Sequence, residues 1–511
     1  MSVARNVLLT LAAMVGACAV VAGASAGVFT VAPLTVASGP SPFAGCTDGA
    51  TPTSVLYANA EEEPWVDVNP ANPNNLIAVW QQDRWSDGGA HGLVTAVTHD
   101  GGQTWTSTFP HFSTCAGGTV ANGGDYDRSS DPWVSFGPDG TAYQVSLSFN
   151  STNNVNGVLA SRSTDGGDHW SEPWTVIRDS GERDVSYAFN DKESVTADAL
   201  TAGYAYAVWD RFVTPSGTSR ESIEGLIHSR AFREPIWFSR TTDGGLTWEP
   251  ARNIYDQSEF NGTIGSQIVV AKNGDLLDFF DEFLIHKNAD KSRGEWMPVI
   301  RSTDKGVTWS KDSLKIAPSR ERIAFDPDTG RNIRAEGGLP EVAIDRASGA
   351  LYVVWQDASF SGVDEIAFSM STDNGHTWSM PIKVNQTPRS STAADQQAFV
   401  AGVHVTPNGT VAVTYYDFRN NDPNPGVPTD YWIVHCHASC TNPASWVGNE
   451  NRLTTTSFDI EQAPAARGPF GYFLGEYQGL TNIGNAFVPV FIAVNNGDPA
   501  NRTDVFSTSV G

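Results

Sequence analysis

The feature that most constrains this chain is an eight-residue pattern, S/T-x-D-x-G-x-x-W, that occurs five times: Thr98 to Trp105, Ser163 to Trp170, Thr241 to Trp248, Ser302 to Trp309 and Ser371 to Trp378. Its aspartates, Asp100, Asp165, Asp243, Asp304 and Asp373, lie 65, 78, 61 and 69 residues apart. A fixed motif returning at this interval marks one supersecondary unit plus variable loops. Within the pattern the Asp carboxylate can accept from backbone N–H groups ahead of it, the Gly supplies a positive φ, and the Trp can pack on a sheet. Those are the needs of a hairpin turn, so the five aspartates are read as folding residues and not as catalytic ones.

A second periodicity counts the units independently. Pairs of alternating apolar strands surround turns at Pro70 to Asn74, Gly137 to Gly140, Ala202-Gly203, Asn273-Gly274, Ser348-Gly349, Asn408-Gly409 and Gly484-Asn485. Five of these seven hairpins precede a copy of the pattern. The sixth precedes Cys436 to Trp446, where a disulfide is expected in its place, and the seventh runs out of chain at Gly511. Strands repeating without helices imply an all-β β-propeller of seven four-stranded blades, with six as the alternative and the patterned turns joining third to fourth strands. The last unit has room for only three strands, so Ser54 to Tyr57 is expected to supply its outer strand. That makes residues 54–511 a single propeller domain, preceded by a mostly unstructured Gly/Pro/Ser-rich lead-in at 27–53.

The chain opens with a short basic start, Met1 to Arg5, an apolar run from Val7 to Val21, and Ala24-Ser25-Ala26. This predicts a cleavable signal peptide over residues 1–26 and a secreted protein. The alternative is a lipid anchor on Cys18, within Val15-Gly16-Ala17-Cys18. No later stretch has the apolar length of a membrane helix. A formal net charge of −25 argues against nucleic acid or an anionic membrane surface as partner. Four further cysteines in an exported chain predict two disulfides, Cys46 with Cys115 and Cys436 with Cys440. The rival is a zinc site at His435, Cys436, His437 and Cys440, whose crowding suits tetrahedral geometry poorly.

The five patterns resemble the Asp-box, or bacterial neuraminidase, repeats of sialidases. Hairpins such as EPWVDVNPANPNNLIAVWQ and LPEVAIDRASGALYVVWQD resemble those of secreted sialidase-like bacterial proteins. The resemblance covers nearly the whole chain after the signal. It implies a propeller acting on glycans, and it implies sialidase chemistry: three arginines on the substrate carboxylate, an Asp as acid and base, and a Tyr nucleophile activated by a Glu. Asp boxes also occur in propellers with other roles, so fold is implied more strongly than chemistry.

In such a blade the patterned turn points away from the rim that carries the loops after second strands and before first strands, so recognition is expected on that opposite rim. Charges and aromatics gather there. Arg84, Arg211 and Arg419, with Arg334 in reserve, are the candidate guanidinium forks for an anionic sugar. Asp131 is the candidate acid, and Tyr477 beside Glu476 the candidate nucleophile pair. The early Arg-Ile-Pro signature of sialidases is missing; Phe232-Arg233-Glu234-Pro235 is the nearest sequence and follows two of the patterns. A plainer reading stays open, in which Asp83, Asp210, Asp357 and Asp417 pair with Arg84, Arg211 and Arg419 around the ring. The leading functional expectation is an exo-α-sialidase-type hydrolase acting on terminal anionic sugars. The alternatives are a non-catalytic carbohydrate- or protein-binding propeller, or an endo-glycosidase using two carboxylates such as Asp131 and Asp357. A glycan partner and a monomer are expected, with no cofactor, although calcium is conceivable near Asp125, Asp127 and Asp131.

Overall fold

The computed structural model describes residues 28–179, 188–213, 233–285, 293–335, 338–390, 392–466 and 471–511. The expected signal peptide and the alternative anchor at Cys18 lie outside these residues. Among those described, no helix is long and apolar enough to cross a membrane.

The molecule is an all-β propeller-type assembly of four-stranded antiparallel sheets. The first sheet runs Leu56–Val68, Leu76–Trp85, Ala90–Thr98, Thr106–Thr108. The second runs Arg128–Phe136, Ala142–Phe149, Asn156–Ser163, Trp174–Asp179. The third runs Ala188–Ala197, Ala205–Val213, Ile236–Thr241, Arg252–Tyr255. The fourth runs Asn261–Val270, Leu276–Leu284, Gly294–Ser302, Leu314–Ser319. The fifth and sixth begin at Glu341–Ile344 and Ala398–Val405, and the seventh at Gly479–Ile483. The first strand of each sheet packs against the first strand of the next, and Gly479–Ile483 returns to Leu56–Val68.

Second strands such as LIAVWQQDRW and LYVVWQD are buried from end to end. A strand covered on both faces reads as a continuous apolar run, and here the covers are the two neighbouring sheets. Trp80, Trp209 and Trp355 occupy matching places on these strands, each fully buried.

The patterned turns join third to fourth strands and close on themselves. In all five, the Ser or Thr hydroxyl donates to the Asp at 2.7–2.9 Å and accepts from the Gly N–H at 2.8–3.0 Å. The same Asp oxygen takes the N–H four residues on at 2.8–3.1 Å. The Trp then wedges against the preceding sheet: Trp309 meets Phe238 at 5.5 Å and Trp378 meets Phe279 at 5.6 Å. The glycine is close to that sheet too; at Gly167, with φ of 101°, a Cβ would lie 2.8 Å from Ile77 Cδ1. In the sixth unit the Cys436–Cys440 disulfide stands in for the pattern, and Trp446 keeps the wedge, 5.1 Å from Phe368. With both cysteines oxidised, the zinc alternative loses its thiolates. The second disulfide joins Cys46 to Cys115.

Closure differs from the sequence expectation. The outer strand of the seventh sheet is Thr35–Val36, paired with Thr503–Ser507, and not Ser54 to Tyr57. Leu56 and Tyr57 instead pair with Trp85 and Arg84 at the start of an innermost strand. The outer edge lies three strand spacings away, about 14 Å, and no turn separates Tyr57 from the rest of its strand. The lead-in is correspondingly ordered in part: Ala37 and Phe43 are buried, and Ala32 and Thr30 bond to Ser509 and Gly511.

Two insertions build a small three-stranded sheet from Ile333–Arg334, Gly471–Phe473 and Ala465–Ala466. Its parallel pair sets Arg334 beside Phe473, and its third strand runs antiparallel.

Candidate functional site

The first strands share a second device, unrelated to the patterned turns. Five of them carry a β-bulge at the same place: after Glu62, Ser130, Asp191, Ile264 and Phe399 the register shifts before pairing resumes. One residue in each bulge takes a positive φ: Glu63 at 54°, Asp131 at 54°, Lys192 at 49°, Gly265 at 75° and Val400 at 52°. A bulge re-aims a side chain, and the left-handed conformation costs a non-glycine residue about 1–2 kcal/mol. In three consecutive sheets this cost is borne by a charged residue, and the three meet.

Lys192 is the hub. Its ammonium reaches Glu63 at 3.5 Å and pairs closely with Glu476, while its backbone N–H donates to Asp131 at 3.2 Å. Glu476 also takes Arg334 Nε at 2.5 Å. Arg84 pairs with Glu62 at 3.2 Å and donates to Gln81, which in turn donates to Glu63. The guanidiniums of Arg84 and Arg334 lie 4.6 and 4.9 Å from the ring of Phe473, so the small inserted sheet brings two forks to one aromatic face.

Beneath the charges lies an aromatic layer. Trp65 and Trp133 stack at 3.6 Å, and Tyr477 stands 5.2 Å from Trp133. The Tyr477 hydroxyl donates to the Pro132 carbonyl at 3.3 Å, and Lys192 Nζ is 5.9 Å from its ring centre. Burial, then the charges of Glu63, Asp131, Glu193 and Glu341, hold this phenol well above the ordinary tyrosine value. It is therefore a neutral hydroxyl ringed by carboxylates.

Those carboxylates are not alike. Burial raises Glu63, with Lys192 opposing. Burial also acts on Asp131, but the Lys192 charge and hydrogen bonds from Ser130 and Glu63 outweigh it and bring the group down to about 2. Burial and then the Asp131 charge raise Glu193 well above the usual range, with its own and the Leu147 backbone N–H groups opposing. Separated protonation preferences within one cluster are what acid–base chemistry needs.

Of the residues singled out from sequence, Asp131, Tyr477, Glu476, Arg84 and Arg334 gather here. Arg211 and Arg419 do not. Arg211 is held by Asp179 at 2.6 Å and lies over Trp237, and Arg419 is held by Asp417 and Glu450, both at 2.6 Å, over Trp432. Neither shares a partner with Arg84 or Arg334, so the expected convergence of Arg84, Arg211 and Arg419 is replaced by local pairs within or between adjacent sheets. Their positions after second strands were correctly similar, but a strand end can face its own sheet edge as readily as the axis. Asp357, the proposed second carboxylate, accepts from Ser359 N at 2.7 Å and from Trp355 Nε1, at a strand end of its own sheet. The acidic trio weighed for calcium is dispersed: Asp125 pairs with Arg178, Asp127 takes Ser151, and Asp131 faces Lys192.

Glu63 and Lys192 join the cluster without being among the candidates that the sequence singles out. A signal existed: Glu63-Pro64-Trp65-Val66 and Asp131-Pro132-Trp133-Val134 share an acid before Pro-Trp-Val, and Lys192-Glu193-Ser194-Val195 occupies the same register without the motif.

No family model matches the sequence, and no curated protein matches it. Among solved structures, a Hadza microbial sialidase aligns at a TM-score of 0.45 and 14% identity, covering 85% of this chain and 73% of that one. A leech intramolecular trans-sialidase aligns at 0.43 and 13%, covering 76% and 68%. A Penicillium chrysogenum α-L-arabinanase aligns at 0.40 and 14%, covering 75% and 93%. Likeness at this level assigns no family, and the case for function rests on the residues of the axial cluster.

Proposed function

We propose that this protein is a glycoside hydrolase whose chemistry runs on Tyr477 and the carboxylates around it, the arrangement that sialidases use in place of the usual carboxylate pair. One observation carries the reading: three successive bulges deliver Glu63, Asp131 and Lys192 to a buried tyrosine in a strained backbone conformation. Strain of this kind clusters at functional sites. In the proposed roles ionised Asp131 takes the phenol proton as Tyr477 attacks the anomeric carbon, and Glu63, whose proton affinity burial raises, gives its proton to the leaving oxygen. In the second step Glu63 takes a proton from the attacking water and Asp131 returns one to the departing Tyr477 oxygen. Arg84 and Arg334 offer the guanidinium side of the mouth to the carboxylate of a terminal anionic sugar, with Glu476 holding Arg334 and Lys192 in place.

A second reading has its own observation: all three cations of the cluster already have carboxylate partners. A cluster so neutralised suits a propeller that binds a glycan without cleaving it.

Release of fluorophore from an aryl sialoside by the purified protein separates the two. Turnover that falls at least a hundredfold in Tyr477→Phe and in Asp131→Asn supports the hydrolase, since loss of a catalytic group removes about that much. Turnover of a neutral arabinoside or galactoside alone would overturn the anionic-sugar assignment, and no turnover of any of them would leave the binding reading.

A further inference from the structure

Successive sheets of the ring offer the next one a seat, made by a cross-strand pair on the second and third strands. The pairs are Ile77 with Val97, Tyr143 with Arg162, Tyr206 with Arg240, Leu277 with Arg301, Tyr352 with Met370 and Ala412 with His435. Three of them pack under a glycine of the following patterned turn. A Cβ on Gly167 would lie 2.8 Å from Ile77 and from Val97, one on Gly245 3.2 Å from Tyr143 and from Arg162, and one on Gly375 3.1 Å from Leu277. The arginines also clasp that turn: Arg162 donates to Gly244 O at 3.1 Å, Arg240 to Lys305 O at 2.5 Å and Arg301 to Asn374 O at 2.5 Å. The sixth seat is filled from elsewhere in the chain, by the ring of Phe29, which stacks on His435 with centroids 3.7 Å and planes 16° apart.

The fifth seat is open. Where a glycine turn would cover it, the sixth unit has the Cys436–Cys440 loop, and Met370 stands where three other sheets have arginine. Over Tyr352 and Met370 lies a cavity of about 530 Å3, lined also by Trp378 and by that loop. Two departures from the repeat, one in each partner sheet, produce the opening.

The chemistry of the lining narrows the occupant. Its floor of Tyr352, Met370 and Trp378 is aromatic and apolar, and left wet it forgoes the burial that the other seats collect. Phe29 shows that a flat ring fits such a seat. At the rim stand Thr372, Ser439 and Thr441, exposed, with hydroxyls that bond to no other described residue. No Asp, Glu, Lys or Arg side chain lines the cavity, so it offers nothing to hold an ion. The volume lies within the roughly 300–1,000 Å3 of ligand pockets. A ring with an apolar face and hydroxyls along its edge answers both floor and rim, which a purely aromatic group does not.

We infer that the open seat between the fifth and sixth sheets binds a neutral sugar ring, its CH face on Tyr352 and Trp378 and its edge hydroxyls on Thr372, Ser439 and Thr441. The site belongs to the rim of the patterned turns, so it stands whether or not the axial cluster hydrolyses a glycoside.

Methionine methyl groups report on the seat directly. Outside residues 1–26 the methionines are Met297, Met370 and Met380, and Met297 is fully buried. In protein labelled with 13C at these methyls, the Met370 resonance is assigned through Met370→Leu. Titration with lactose, maltose and cellobiose should move Met370 saturably for at least one of them and leave Met297 in place. Thr372→Trp should abolish the response; the first pattern carries His99 at this position, so the turn accommodates bulk. N-acetylneuraminic acid should leave Met370 unmoved. Overturning results are a Met370 resonance that none of the three sugars moves at its highest soluble concentration, a response that survives Thr372→Trp, or an equal or stronger response to N-acetylneuraminic acid. A response to N-acetylphenylalaninamide without one to the sugars would also overturn the inference and give the seat to an aromatic protein side chain.

Discussion

The two rims of the ring use repetition in opposite ways. At the patterned turns the residues repeat: the same hydroxyl, carboxylate and glycine recur five times, with the hydroxyl and the carboxylate bonded to each other inside every copy. At the bulges the backbone repeats while the residue changes, from Glu63 to Asp131, Lys192, Gly265 and Val400. Identity kept from unit to unit marks what each unit needs in order to fold. Geometry kept while identity varies marks positions where units do different things, and the charged members answer one another across sheets.

The sharpest way to break this contrast is to remove the hub. Lys192→Met leaves Glu63 and Glu476 buried without their shared cation, and breaking a buried pair costs about 3–5 kcal/mol. Urea unfolding at neutral pH should show that loss, and an unchanged midpoint would mean that the cluster does not hold the mouth together.

The disulfides come next. The loop-entropy relation gives about 4 kcal/mol for Cys46–Cys115, which spans 69 residues, and about 2 kcal/mol for Cys436–Cys440, which spans 4. Paired Cys→Ala variants compared by chemical unfolding should rank in that order. The reverse ranking would mean that the lead-in contributes little.

At the turn rim, Ser371→Ala removes the hydroxyl that Gly375 N–H and Asp373 share, at a cost of about 1–2 kcal/mol. Glycoside turnover per folded molecule should not change. A drop in turnover would erase the distinction between the rims.

Acidity offers a smaller and graded test. Burial raises Asp67 and Asp417 to about 6 and Asp210 and Asp364 to about 7. A carboxyl raised in the folded state binds its proton more tightly there than in the unfolded chain. Its contribution is complete below the unfolded value of 3.8 and is lost as pH rises through the folded one. Tm should therefore fall as pH climbs from about 4 to about 7. A steady rise over that window would show that these groups are ionised and paired in the folded protein.

Much of the architecture was legible because the patterned turn is local: its Asp, Gly and Trp announce a hairpin wherever they stand. The cysteine pairs were legible from parity and spacing. The closing strand was not, because Thr35-Val36 carries no pattern of its own and pairs with residues more than 460 positions away. At the site, Asp131, Glu476 and Tyr477 could be placed by their position before first strands. Arg211 and Arg419 could not be excluded, since whether a side chain at a strand end turns to the axis or to its own sheet depends on partners such as Asp179 and Glu450 that sequence does not bring near. Lys192 was hidden for the converse reason: it lacks the Pro-Trp of its neighbours, and only the bulge reveals the shared position.

The central claim is that Tyr477 acts as a nucleophile amid the axial carboxylates. A fluorinated, mechanism-based sialoside that stalls at the covalent stage, followed by peptide mass mapping, tests it directly. The account predicts one label, on the peptide that carries Tyr477, and none in Tyr477→Phe. Label on another residue, or turnover of the sialoside with no covalent species on Tyr477, would contradict it.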